Sequence, residues 1–293
     1  MSSFINNEPT YLKFKNPHKR DNYIIFNEAL HKYKVIINNQ NNEILYDENY
    51  TSVTTWIHSH FSHFDADSII EKMMNSRKWP QNKYYGLSIQ EIKDLWEENR
   101  KKSAEEGTNM HYEIECFYNN KEIYNQENQS YKKFLEELLK KDISKEFNYF
   151  INFEKNRINN FGSHLTPYRT EWIVYDEHLK ISGSIDMVYM RDDGDLEIFD
   201  WKRSKEIKKV NPWQNALTEC IQHLPDTNYW HYALQLNIYK MILERKYDKK
   251  VKKLYLVCLH PNNNNYLLIN VPILKQEIDD LIKYRLNELN KEK

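Results

Sequence analysis

The sequence predicts an α/β fold in which helices flank a mixed central β-sheet and the N-terminal part is rich in helix. Three observations lead to this prediction. The stretch from about residue 65 to 160 shows the apolar spacing of amphipathic helices. Later runs are rich in β-branched and aromatic residues, which favour strands. Two of these runs form a hairpin that is followed by a helical stretch and further strands, an order typical of a mixed sheet.

The N-terminal region is predicted to begin with strands. Residues 23–46 have a strand-like composition on either side of the turn cluster NNQNNE, which indicates a hairpin. The run YTSVTTWI at 50–57 continues the strand-like pattern.

Helices are predicted in the next part of the chain. Asp65 is placed to cap the first helix, and Ser88 with Glu91 forms an S-x-x-E capping box before a long second helix. Gly107 is a point at which this long helix can divide. Two further helical stretches are expected at about 130–140 and 144–160.

The rest of the chain is predicted to supply the sheet. The expected strands are Tyr168–Tyr175, Ile181–Arg191, Asp195–Lys202, Lys252–Leu259 and Tyr266–Val271. The expected helices are Pro212–Cys220, Asn228–Lys246 and Leu274 to the C-terminus. No linker rich in Pro, Gly or Ser separates the halves, so we expect one compact unit, with a hairpin and helix-rich region at 1–165 packed on a core at 166–293.

Composition is that of an ordinary globular protein: 293 residues, 40% of them hydrophobic, with a net charge of −1. This charge argues against a basic coat, although a local basic groove can bind nucleic acid. We expect neither export nor a membrane anchor, because the start has no signal core and the apolar runs are far shorter than the roughly 18 residues of a membrane span. Three widely spaced cysteines without a CxxC suit a reducing intracellular compartment: cytoplasm, nucleoid or viral replication site.

The predicted hairpin carries three charged residues, Asp186, Asp200 and Lys202, in otherwise apolar strands. If the hairpin turns at Asp193, Asp186 lies opposite Asp200 and Ser184 lies opposite Lys202. Directly opposed residues have Cβ atoms about 4.5–5.5 Å apart, close enough for two carboxylates to share a cation. Carboxylates this close repel, and Mg²⁺ or Mn²⁺ would relieve the repulsion. The alternative is a half-buried Asp200–Lys202 ion pair, with Asp186 in a polar contact near the turn.

The segments GSID (183–186) and IFDWK (198–202) resemble the core of PD-(D/E)XK nucleases, specifically the RecB-like exonuclease branch. Other parts resemble further elements of this branch. They are HKY (31–33) for HxY, SVTT (52–55) for SVT, GTNMH (107–111) for GTxxH and QLNIY (235–239) for QxxxY. The resemblance implies a restriction-endonuclease-like core. The chain has no cysteine quartet, so the iron–sulfur cluster of some members is not expected.

The resemblance also implies roles for residues. His111 would be an imidazole metal ligand, Asp186 and Asp200 the carboxylate ligands, and the backbone carbonyl of Trp201 a further oxygen. Lys202 would be the catalytic cation, which positions water or stabilises the transition state. Outside the GTxxH context, His111 would be an ordinary helix histidine.

Six further residues are candidates for ordering the site or binding nucleic acid: Gln235, Tyr239, Glu171, Glu115, Thr108 and Ser184. Glu115 lies one helical turn after His111, where it can orient the imidazole, touch the metal or form only a solvated pair. Gln235 and Tyr239 share a helix face, and packing of a core tyrosine explains them equally well. An exposed edge-strand carboxylate is the alternative for Glu171.

The run KRSKEIKK (202–209) is most simply the start of a solvated helix, but beside a phosphodiester site it can follow a nucleic-acid backbone. One of Trp213, Trp230 and Tyr232 would then stack on bases.

The expected function is that of a Mg²⁺- or Mn²⁺-dependent DNA nuclease. We expect an exonuclease that hydrolyses phosphodiester bonds at DNA ends or in single-stranded DNA during replication, repair or recombination. The alternatives are an RNA-cleaving endonuclease of the same fold and a non-catalytic nucleic-acid-binding module. The sequence has no GxxxxGK[ST] motif, so it would act on exposed ends or with a separate helicase or polymerase.

Overall fold

A computed structural model of the protein describes residues 9–27, 30, 32–38, 44–121, 128–160 and 165–291. The helices are α1 (Tyr11–Lys15), α2 (Val53–His58), α3 (Ala66–Met74), α4 (Ile89–Asn119), α5 (Asn128–Leu138), α6 (Lys145–Asn160), α7 (Asn228–Lys246) and α8 (Lys275–Lys291). The strands are β1 (Ile24–Asn27), β2 (Lys32–Asn38), β3 (Ile44–Asp47), β4 (Thr51–Ser52), β5 (Thr166–Asp176), β6 (Ile181–Met190), β7 (Leu196–Lys202), β8 (Val251–Cys258) and β9 (Leu267–Val271).

The main sheet has six strands in the order β4-β6-β7-β8-β9, and β5 also pairs with β6. The β4–β6 and β7–β8 pairs are parallel, and the other pairs are antiparallel. This confirms the predicted α/β fold with a mixed sheet flanked by helices. The N-terminal strands β1, β2 and β3 form a separate antiparallel sheet rather than a single hairpin.

One edge of β6 is shared by two partners. Because β5 pairs along the whole of β6, from Ile181 to Met190, strands β4 and β7 must use the opposite edge. There β4 pairs with the first two residues of β6, and β7 pairs from Met187 onward. The stretch Gly183–Asp186 lies between the two ladders, so its edge is open to side chains.

The core has two hydrophobic clusters on opposite faces of the sheet. Leu196 and Ile198 of β7 belong to one cluster, with residues of α2 and α7. Phe199 and Trp201 belong to the other, with residues of α4 and α6. This division follows from the alternation of side chains along a strand. Layers of helix therefore bury both faces of the central hairpin.

Local capping signals were sufficient to place helix starts. Asp65 accepts a hydrogen bond from the backbone N–H of Ser68, and Ser88 and Glu91 form both halves of a capping box. Each satisfies N–H groups that have no partner within the helix, which confirms both predictions.

Four predictions about elements were wrong. The run at 50–57 is a two-residue strand followed by α2, because the Ser52 hydroxyl accepts from the Thr55 N–H and starts a helix. Helix α4 passes through Gly107 without interruption. Residues 203–209 contain no helix. Within 212–220, the only helical structure is a 3₁₀ turn that begins at Glu219. Local hydrogen bonds and the Asn215–Pro225 bridge hold this segment as a loop instead. His31 and residues 39–43 of the predicted turn lie outside the described residues.

Across the described ranges, no helix combines the length and apolar character needed to cross a membrane.

Candidate metal centre

The site forms where the ladder between β6 and β7 ends. The observed pairs Met187↔Phe199 and Val188↔Ile198 have the register predicted from a turn at Asp193. In that register Asp186 and Asp200 occupy the first positions beyond the ladder. There the Asp186 Oδ2 atom accepts a hydrogen bond of 2.9 Å from the backbone N–H of Trp201. The Asp186 side chain thus accepts a hydrogen bond that a backbone carbonyl of β6 accepts in a continuous ladder, and the pairing of β6 with β7 ends there.

Ser184 does not continue the ladder opposite Lys202, which corrects that part of the prediction. It pairs with Ile173 of β5 on the opposite edge of β6, and its hydroxyl donates to Glu171 Oε2 at 2.8 Å. The reason is the strand separation that begins at Asp186.

Glu171 has a left-handed backbone conformation in the middle of β5, with φ of +41°. The ladder to β6 is regular on both sides of it, at Thr170↔Met187 and Trp172↔Ile185. For a residue other than glycine, such a conformation costs about 1–3 kcal/mol and tends to occur at functional sites. Its carboxylate lies in one group with the imidazole of His111 and the carboxylate of Asp186, as expected for a candidate site residue rather than for an isolated edge-strand carboxylate.

His111 joins these carboxylates from α4. Its Nε2 atom lies 2.9 Å from the backbone oxygen of Trp201. Its Nδ1 atom lies 3.5 Å from Glu171 Oε1 and 3.7 Å from Asp186 Oδ2. Ligand atoms of His111, Glu171 and Asp186 all lie within 4.8 Å of one another, a spacing at which they can hold one metal ion.

Lys202 and Asp200 complete the group. The Lys202 Nζ atom lies 2.8 Å from Asp200 Oδ2, and both side chains are largely buried. The ammonium also lies 4.6 Å from the ring centre of Tyr232, in cation–π range. The ion pair that was the alternative interpretation is therefore present, but it stands next to further charged groups.

These charges shift one another's pKa values. Burial raises the pKa of Asp186 to about 7, and the neighbouring Asp200 carboxylate acts in the same direction. Burial lowers the pKa of His111, but Asp186 and Glu171 raise it to about 9. Burial also lowers the pKa of Lys202, but Asp200 and Asp186 outweigh it, so the pKa lies above its ordinary value. Lys202 therefore stays a cation at neutral pH, which suits charge stabilisation rather than a role as a base.

Tyr239 of α7 packs closely against Gly183 of β6. A Cβ atom on Gly183 would lie 2.7 Å from the Tyr239 hydroxyl and 2.8 Å from its ring, so only glycine admits this close approach. Gln235 donates to the same hydroxyl at 3.4 Å. The predicted Gln235–Tyr239 pair thus lies against the strand that carries Asp186.

Two of the predicted residues, Thr108 and Glu115, lie on α4 about one turn from His111. Thr108 is exposed on α4. Glu115 is partly buried one turn after His111, and its backbone oxygen accepts from Asn119. Their roles at the site stay predictions.

Sequence reasoning did not assign Tyr33 to the site. Its pKa is raised to about 12 by burial and, second, by Glu171, which places this β2 residue beside the site. The sequence feature that could have identified Tyr33 is its position as the last residue of the HKY element.

A cavity of about 230 Å³ opens beside Lys202, and Gln235, Tyr232, His231 and Asn228 also line it. It gives a small molecule or a nucleotide access to the cation.

The donor set suits a divalent metal ion. Glu171 and Asp186 offer carboxylate oxygens, Trp201 a backbone carbonyl, and His111 an imidazole nitrogen. Mostly hard oxygen donors favour a hard cation over soft metals. A bound cation would also lower the pKa of Asp186, because it would offset the repulsion between carboxylates.

No protein-family model matches the sequence, and no curated protein matches it either. Among solved structures, a candidate exonuclease from Eubacterium rectale is similar with a TM-score of 0.30 and 14% identity. That match covers 56% of this chain and 59% of the other, so the chain spans less than two thirds of that protein. The structure of SSO0001 has a TM-score of 0.24 and 14% identity, over 84% of this chain and 79% of the other. At these TM-scores neither likeness bears on the function.

Proposed function

We propose that the protein is a divalent-metal-dependent DNA nuclease of the PD-(D/E)XK superfamily and its RecB-like branch, acting as an exonuclease on DNA ends or single strands. One observation carries the proposal. Asp186, Glu171, His111 and the Trp201 carbonyl converge at the end of the β6–β7 ladder, next to the Asp200–Lys202 pair. Buried like charges with a raised carboxylate pKa are typical of reaction centres.

Each group has a role in phosphodiester hydrolysis. Asp186, Glu171, His111 and the Trp201 carbonyl would hold Mg²⁺ or Mn²⁺, with Asp200 as a further carboxylate ligand. When bound, this metal supplies an acidified water and neutralises charge on the phosphate. In hydrolysis the water would release one proton to solvent as its oxygen bonds to phosphorus, the bond from phosphorus to the sugar oxygen would break, and the leaving oxygen would take up a proton. The Lys202 ammonium stabilises the negative charge that develops on the phosphate oxygens.

The test is cleavage of end-labelled DNA in Mg²⁺ or Mn²⁺ by the wild type and by Lys202→Ala and Asp186→Asn. We expect both substitutions to lower the rate by a factor on the order of a thousand, because each removes a group that acts on transition-state charge. Linear and circular, single- and double-stranded, and 5′- and 3′-labelled substrates would define the preferred end.

Lys252→Ala is the matched control. Lys252 pairs with Asp195 at 3.2 Å near the turn end of the same hairpin, far along the strands from Lys202. We expect it to cleave at the wild-type rate. Near-normal cleavage by folded Lys202→Ala protein would refute the proposal.

RNA cleavage is the second candidate, because this metal chemistry does not distinguish the two sugars. RNA and DNA substrates of one sequence separate these activities. If the wild type binds nucleic acid but neither binds metal nor cleaves, the non-catalytic module is correct.

A further inference from the structure

Three depressions follow one another along the surface away from the metal centre. The first is the cavity of about 230 Å³ beside Lys202. A second, of about 360 Å³, shares the lining residue Asn228 with the first. A third, of about 800 Å³, shares Pro212 with the second and reaches Trp213. Each depression therefore adjoins the next through a shared residue, and we name the three together the strand path.

Cations border the strand path. Lys208 lines the second depression, and Lys205 and Lys209 are exposed on the same segment. Lys208 pairs with Glu206 at 3.5 Å, but both side chains are about two-thirds exposed, so this pair is worth little. These ammonium groups are available to an anionic polymer, although Glu219 also lines the third depression.

One acid beside the path already has a hydrogen-bond partner. Asp226 lines the second depression, and its carboxylate lies 3.0 Å from the Nε2 atom of His231. Lys202 lines the first depression, so the end of the path next to the metal centre offers an ammonium group to a phosphate.

At the far end, Trp213 is 88% exposed, which is unusual for the largest apolar side chain. The loop that carries it is held in place. Asn211 Oδ1 accepts from the backbone N–H of Trp213 at 3.0 Å, and Asn211 Nδ2 donates to the Asp226 carbonyl at 2.9 Å. The Asp226 N–H donates to the Gln214 carbonyl at 2.9 Å. An ordered backbone therefore presents the indole to solvent at little further entropic cost on binding.

We propose that the strand path binds a single strand of DNA, with Trp213 stacked on a base and Lys205, Lys208 and Lys209 on its phosphates. An indole can stack on any unpaired base, whereas bases in a duplex are already stacked on their neighbours. This inference rests on the proposed nuclease function and deepens it, because it names the form of the substrate and the residues that hold it away from the reaction centre.

The test is equilibrium binding of a fluorescent thymidine oligonucleotide of about 20 residues, measured by anisotropy in a chelator so that no cleavage occurs. Loss of one stacking contact, worth about 1–3 kcal/mol, should weaken binding by Trp213→Ala about tenfold. Trp213→Phe should retain most of the affinity, because a phenyl ring still stacks. Phe14→Ala is the control, since Phe14 is also highly exposed (76%) but does not line the path.

The contribution of the three lysines is measured separately, from the salt dependence of binding. Replacement of Lys205, Lys208 and Lys209 by alanine should flatten the dependence of log Kd on log salt by about two, because each phosphate contact on a single strand contributes about 0.7. Either wild-type affinity in Trp213→Ala or an unchanged salt slope in the triple lysine variant would overturn the proposal. The proposal is also wrong if the wild type binds a duplex equally well, binds the matched RNA more tightly or does not bind at all.

Cleavage in Mn²⁺ separates this proposal from the nuclease function. If Trp213→Ala loses binding and the wild type does not cleave, the strand path stands and the nuclease function is wrong. If the wild type cleaves but Trp213→Ala binds normally, the nuclease function stands and the strand path is wrong.

Discussion

Two of the buried charge groups among the described residues are balanced differently. In the first, which we name the back cluster, Arg157 donates to both oxygens of Glu154 at 2.6 and 2.7 Å. Tyr118 and Tyr131 donate to the same carboxylate at 2.9 and 2.7 Å. One anion thus meets one cation and two hydroxyl donors, and every charge is compensated.

At the metal centre, three carboxylates face two cationic groups. Glu171, Asp186 and Asp200 lie around His111 and Lys202, and Asp186 receives one backbone hydrogen bond. The anions outnumber the cations when His111 is charged, and more so when it is neutral.

The pKa values record this difference. Burial acts to raise the pKa of Glu154, but Arg157 outweighs it and the pKa is lowered. Burial and Asp200 act together on Asp186, and its pKa is raised to about 7. Burial of charge by itself therefore does not mark a functional site. A buried carboxylate with a strongly raised pKa is the better indication of one.

The largest effect that tests this comparison is on stability. Glu154→Ala should lower the free energy of unfolding by about 3–5 kcal/mol, because it leaves Arg157 buried and uncompensated. Asp186→Asn should cause no such loss at pH 8 without metal. The folded-state pKa of Asp186 lies above that of an ordinary aspartate, so its charged form destabilises the wild type progressively as pH rises from about 4 to 7.

Urea denaturation of both variants measures these changes. Lys283→Ala is the control, because its ion pair with Asp280 at 2.8 Å is exposed and should contribute little to stability. Equal destabilisation by Glu154→Ala and Asp186→Asn would remove the distinction between the two groups.

The second effect concerns protons and metal at the centre. Mn²⁺ needs deprotonated ligands, and the pKa values of Asp186 and His111 are raised to about 7 and about 9. Affinity should therefore rise by roughly three orders of magnitude between pH 6 and 8.5, because both groups are protonated at the lower pH, whereas at the higher one Asp186 has lost its proton and His111 has lost it in part. Calorimetric titration at several pH values measures this, together with the protons released.

Glu154→Gln is the control for this pH dependence, because the back cluster offers no open ligand position and should not change it. A pH-independent Mn²⁺ affinity would show that these two groups do not bind the ion.

The third effect tests how tightly the centre is packed. Gly183→Ala should destabilise the protein by about 1–3 kcal/mol, because the new methyl group would meet the Tyr239 ring and hydroxyl. Gly107→Ala is the matched control. No atom lies within 4 Å of its added Cβ, and alanine in the interior of α4 should stabilise by about 0.5–1 kcal/mol. Thermal unfolding measures whether each substitution lowers or raises the stability of the protein. Destabilisation by Gly107→Ala would contradict the uninterrupted helix α4 at that position.

Sequence reasoning was accurate where the causes are local. The Ser88–Glu91 capping box is made by residues within one turn, and a turn at Asp193 fixes the register of the hairpin. It failed where distant contacts decide. The loop around Trp213 depends on pairing with residues 224–226, which no short window of sequence reveals.

The sequence by itself determined the mixed α/β fold, the hairpin register and the choice of Asp186, Asp200 and Lys202, because turn and strand patterns act over a few residues. Only the tertiary structure decided that β6 and β7 separate at Asp186, and that Glu171 turns left-handed beside it. It also decided that His111 reaches the Trp201 carbonyl. These outcomes depend on which partners pack against a strand edge, and that is set by the whole chain.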